Sequence, residues 1–156
     1  MAIAAFITWL VTAVCGLGLL SIYLIEYDGG LPTSRLPKTA IGGHVLFAVG
    51  GLTAWTLFLF TSMRRVAWAT VALLVVVAIL GFTMLFRWVG TYRANRALPP
   101  VLMPVGAQGA GFQRTTMQPP APPERQLPIA LITLHGVLAV VTLLLVLLTT
   151  LDVAGT

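Results

Sequence analysis

Ile129-Ala-Leu-Ile-Thr-Leu-His135-Gly-Val-Leu-Ala-Val-Val-Thr-Leu-Leu-Leu-Val-Leu-Leu-Thr-Thr-Leu151 runs for 23 residues without an Asp, Glu, Lys or Arg. Crossing an apolar layer of about 30 Å takes roughly 20 helical residues, so this stretch by itself makes the chain a membrane protein. Three more stretches meet the same length, near Ala2 to Leu24, Ala40 to Thr61 and Val66 to Phe86. The whole chain of 156 residues is 58% hydrophobic and only 8% charged, outside the range of ordinary soluble domains. The expected fold is all-α: one membrane domain, a four-helix transmembrane bundle.

The borders of these stretches set the connections. After the first, Glu26-Tyr-Asp28-Gly-Gly30 stops the apolar run. Pro37 and Thr39 open the second helix, with Thr39 as its expected N-cap. Ser62-Met-Arg-Arg65 leaves so little chain that helices two and three must be antiparallel neighbours. Trp68 and Trp88 bracket the third stretch at about one bilayer width, as interfacial aromatics do. From about 89 to 127 the pattern breaks into Pro99-Pro100, Pro104, several glycines and Pro119-Pro-Ala-Pro-Pro123. Such a segment cannot bury enough apolar surface for a core of its own, and reads as an extended strap that grips a partner. Pro128 then suits the start of helix four.

Charge and cysteine content exclude several classes. The net charge of +5 comes from residues flanking the apolar stretches rather than from one dense patch, so nucleic acid is not an expected partner. Arg35, Lys38, Arg87, Arg93, Arg96, Arg114 and Arg125 follow helices one and three, against Arg64 and Arg65 on the other side. The positive-inside rule then places both termini on the non-cytoplasmic face of a cell inner or plasma membrane. Because Met1 to Leu24 is long and contains no Lys or Arg, it reads as a retained helix rather than a secretory signal. The single Cys15 rules out an intramolecular disulfide or a paired-thiol redox site.

Ionisable residues in hydrocarbon are costly, and two histidines stand inside two of the apolar stretches. His44 opens His44-Val-Leu-Phe-Ala-Val-Gly-Gly-Leu52, and His135 opens the similar His135-Gly-Val-Leu-Ala-Val-Val-Thr-Leu143. Even-numbered helices run in one direction, so both imidazoles enter from the same membrane face and lie at one depth. Two such rings can share a metal at the centre of a flat macrocycle. Gly18 and Gly81 on the intervening helices, in the loosely matching phrases Leu17-Gly18 and Leu80-Gly81, leave room for one. Gly42, Gly43, Ala48, Gly51, Gly136 and Ala139 thin the histidine helices themselves. Arg35, Lys38, Arg93 and Arg96 lie at the interface, where acidic side groups of such a ring would emerge.

With these residues the chain resembles small b-type cytochromes of the cytochrome b561 kind and, more distantly, the four-helix core of cytochrome b. The resemblance covers the helices and not the strap. It implies one haem b held by His44 and His135, with Gly18, Gly81, Arg35 and Arg93 around it. One histidine pair supports one haem, whereas such proteins often hold two. A single haem cannot carry electrons across a bilayer, so other membrane subunits and a quinone become the expected partners besides lipid. The chain reads as an electron carrier of a respiratory-type system rather than a stand-alone enzyme.

The alternatives are a haem-free accessory subunit of a respiratory or photosynthetic complex, with histidines that only tie helices together, and a pigment held by single histidines. Glu26 and Asp28 could accept a quinol proton, although such residues more often just end a helix. A zinc site needs more ligands than two histidines supply.

Overall fold

The computed structural model describes residues 1–26, 36–96 and 127–155. These form four α-helices: α1, Ala2–Glu26; α2, Lys38–Thr61; α3, Arg64–Arg96; and α4, Ile129–Gly155. Each is long and apolar enough to cross a membrane, and there is no strand among the described residues. The chain is therefore a polytopic α-helical membrane protein. The expected strap between α3 and α4 lies mostly outside the described residues, as do Arg35 and Asp28.

Most helix ends fall within four residues of the reading of the sequence, and two features differ from it more instructively. α3 does not stop near Phe86 but continues ten residues, to Arg96. No proline interrupts Arg87 to Arg96, and Trp88 stacks on Tyr92 one turn on, with ring centroids 5.3 Å apart. Trp88 is accordingly buried within the helix, while Trp68 at the other end is exposed. At the start of α2, Pro37 rather than Thr39 takes the capping position, and no side chain caps it. The Pro37 carbonyl instead accepts the N–H groups of Ala40 and Ile41, and Pro128 does the same for Leu131 and Ile132 on α4. A proline before the first turn costs nothing there, because its missing N–H would have had no helical partner.

Ser62 makes the turn from α2 to α3. Its backbone is left-handed (φ 52°, ψ 21°), and its N–H donates to the Phe58 carbonyl at 2.8 Å, closing off the end of α2. The helices then run around a ring in chain order, α1 beside α2, α2 beside α3, α3 beside α4, and α4 back against α1. Packing is closest within α2/α3 and within α1/α4, and lighter between these two pairs. α2 and α4 thus stand diagonally opposite, each on a different pair.

In lipid the apolar surface of a helix gains nothing by leaving its solvent, so association depends on close packing and on polar links between helices. The end of the bundle near residue 1 supplies both. Ala5, Trp9, Trp55, Phe58, Ala67, Leu74 and Val146 form its core. The indole N–H of Trp55, which is fully buried, donates to the Ala2 carbonyl at 3.2 Å and pins α2 to α1. Gly51 lets the Trp9 ring lie on α2, where a Cβ would come within 3.0 Å of it. Buried threonines return their hydroxyl hydrogens to the carbonyl one turn back, as Thr70, Thr142 and Thr150 do, so none is left unpaired in the apolar interior.

Candidate functional site: a histidine pair across the bundle diagonal

His44 stands six residues after the first residue of α2, and His135 six residues after the first of α4. At 1.5 Å per residue both lie about 9 Å inside their helices, so the shared depth expected from the sequence holds. Their ring centroids are 6.2 Å apart, with the planes inclined at 57°. The two rings meet where the α1/α4 pair faces the α2/α3 pair.

Each imidazole is anchored by the helix packed most closely against its own. His44 Nδ1 lies 3.0 Å from the Val77 carbonyl of α3, and His135 Nδ1 lies 3.0 Å from the Thr12 carbonyl of α1. A carbonyl oxygen can only accept, so Nδ1 is the protonated nitrogen in both rings. In the neutral imidazole this leaves Nε2 as a bare lone pair. Two such lone pairs share no proton with which to bond each other. Each can accept a hydrogen bond or bind a metal.

Spacing agrees with that chemistry. Two imidazoles on one metal, with nitrogen–metal bonds of about 2 Å and about 1 Å from each nitrogen to its ring centre, stand about 6 Å apart between centroids. No group of three or more His, Cys, Asp or Glu side chains is assembled for a metal among the described residues. A bare ion would therefore have only two protein ligands. A metal already held by a flat macrocycle needs two, one on each face, and the Nδ1–carbonyl bond behind each ligand fixes its tautomer. The pair thus leaves two Nε2 atoms, one from each side of the bundle diagonal, available as ligands.

The structure sorts the glycines named from the sequence. Gly81 lies against His44, where a Cβ would come within 3.3 Å of Cε1. The glycine against His135 is Gly16 rather than Gly18: a Cβ on Gly16 would stand 2.9 Å from Cε1, while one on Gly18 would only touch Leu131 at 3.7 Å. Gly43 packs on Leu80 of α3 and Gly51 on Trp9, but Gly42 and Gly136 are exposed, with nothing within 4 Å of an added Cβ. These last two open no space inside the bundle. The missed signal is a short repeat, Thr12-Ala-Val-Cys-Gly16 and Val77-Ala-Ile-Leu-Gly81, in which each half supplies the bonded carbonyl and, four residues later, the glycine. Aligning Gly18 with Gly81 set the register two residues off.

The basic residues divide as well. Arg93 is exposed and twelve residues past Gly81, about 18 Å along α3, whereas Lys38 is six residues from His44, about 9 Å along α2. Lys38 therefore stands nearer the level of the imidazoles than Arg93. Glu26 is the last residue of α1. No protein-family model, no curated protein and no solved structure matches this chain.

Proposed function

We propose that the protein is a membrane-embedded electron carrier, and that Nε2 of His44 and of His135 would hold one haem b between α2 and α4. The observation that carries this reading is the pair itself: two imidazoles 6.2 Å apart across the bundle diagonal, each with Nδ1 committed to a helix carbonyl. When bound, such a haem supplies a reversible one-electron couple.

The chain contributes fixed positions around that couple. Val77 and Thr12, through their carbonyls, hold the imidazoles in one tautomer and increase their basicity as ligands. Because both ligand positions belong to rigid helices, little needs to rearrange when charge changes. Lys38 and, farther out, Arg93 offer positive charge toward acidic side groups on the same membrane face. The exposed apolar side chains around the bundle, among them Ile3, Phe60, Phe86 and Leu144, face lipid or neighbouring membrane subunits. A haem held by His44 and His135 would supply the couple near one face of the bundle, and a neighbouring subunit or a quinone would be the electron acceptor.

A second reading, a haem-free accessory subunit, is favoured by one observation: each His–carbonyl bond already links two helices, an interaction worth about 0.6 kcal/mol in membrane proteins. A pyridine haemochrome assay on protein purified from haem-replete membranes separates the two. One haem b per chain, lost in His44→Ala and in His135→Ala, is expected. A wild-type protein without a Soret band leaves the accessory reading in place.

A further inference from the structure

We infer that Gly16 and Gly81 are positioning residues that expose one backbone carbonyl each, Thr12 and Val77, to serve as fixed acceptors for the histidine ligands. The inference rests on the haem reading for its purpose, but its geometry belongs to the chain alone.

Helical Cα–Cβ bonds tilt toward the N-terminus, so a side chain covers the turn preceding its own Cα. The residue at i+4 therefore screens the carbonyl at i. That carbonyl already accepts the N–H of residue i+4, yet its oxygen has a second lone pair. Where residue i+4 is glycine, the second lone pair can be approached from the side. This arrangement occurs twice, on diagonally opposite helices: Thr12 O with Gly16 receives His135, and Val77 O with Gly81 receives His44. Both bonds measure 3.0 Å. In both cases Cε1, the ring atom next to the bonded nitrogen, is the one nearest the space a Cβ would fill, at 2.9 Å for Gly16 and 3.3 Å for Gly81.

The repeat separates the backbone from the side chain. Position 12 is threonine and position 77 is valine, so a hydroxyl is not what the imidazole needs. The Thr12 hydroxyl is engaged elsewhere, donating to the Thr8 carbonyl at 2.7 Å. What the two halves share is the carbonyl and the glycine. Substituting either glycine pushes the ring it touches away from its acceptor first, because the two glycines stand on α1 and α3, and reaches the other ring, 6.2 Å away, only through that displacement.

Nitrogen-15 NMR of histidine-labelled full-length protein in lipid bilayers, before any haem is added, tests this directly. Wild type is expected to show both histidines with a protonated Nδ1 and a bare Nε2. Gly16→Ala should move the His135 resonances most and Gly81→Ala those of His44 most, with the larger shift for Gly16→Ala. Gly18→Ala should move neither. In haem-loaded protein the two glycine variants should also shift the low-spin EPR signal and the midpoint potential, which a purely structural glycine would leave unchanged. An Nε2–H tautomer at either histidine of the wild type, a measurement that needs no variant to fold, overturns the inference, as do unmoved His135 resonances in Gly16→Ala. A missing Soret band overturns the haem reading instead, and is read on a separate sample.

Discussion

At the end of the bundle where α1 begins, Trp55, Val146, Thr70 and Thr150 are closed off completely. A few turns away, toward the opposite end of the same bundle, His44 and His135 are only half-buried. The difference shows two ways of joining helices in lipid. Near residue 1, large side chains fit against small ones, as Trp9 does on Gly51, and dispersion over many atoms holds the pairs together. At the histidine level, glycines accommodate the imidazoles on the neighbouring helices, and the two helix pairs face each other through the rings. The first end holds the fold; the second presents chemistry.

Substitutions at one end should leave the property of the other intact, and the largest effect belongs to the ligands. His44→Ala and His135→Ala should each remove essentially all haem b by haemochrome assay while far-UV circular dichroism stays helical. Retention of a wild-type bis-histidine spectrum in either variant breaks the comparison. Next comes Trp55→Ala, which empties the best-packed site and loses the bond to Ala2; a cost of about 3 kcal/mol is expected in reversible unfolding from mixed micelles. The Soret position of whatever remains folded should not change.

Gly51→Ala sharpens the contrast by adding one methyl group where the Trp9 ring already sits at 3.0 Å. Overpacking there should cost about 2 kcal/mol in the same unfolding measurement. Smallest is Thr142→Val. It removes a buried hydroxyl 3.3 Å from that of Thr12, a link between α1 and α4, and should cost about 0.5 kcal/mol. If Thr142→Val also displaces the haem spectrum, the ends are coupled through Thr12 and are not separate.

Much of this was legible in the sequence because lipid imposes a simple rule. A backbone in hydrocarbon must bond to itself, so an apolar run of sufficient length has to be a helix. Four such runs, the sharp turn at Ser62 and the equal depth of two histidines follow from counting residues. The length of α3 did not follow, since arginines at its far end look like an ending and yet are tolerated where long side chains can reach polar surroundings. The glycine register was also missed. Glycines are common in apolar helices, and whether Gly16 or Gly18 meets an imidazole depends on which side of α1 faces α4.

The sequence by itself determined that the chain makes membrane-crossing helices and carries a matched pair of histidines, because both depend on composition and on distance along one chain. Only the tertiary structure decided that α2 and α4 stand diagonally opposite, that the rings lie 6.2 Å apart, and that Thr12 and Val77 lend their carbonyls. Those facts depend on how each helix is rotated about its axis. That rotation is set by the summed fit of many small and large side chains, such as Gly51 on Trp9 and Gly43 on Leu80, and no single helix contains the information.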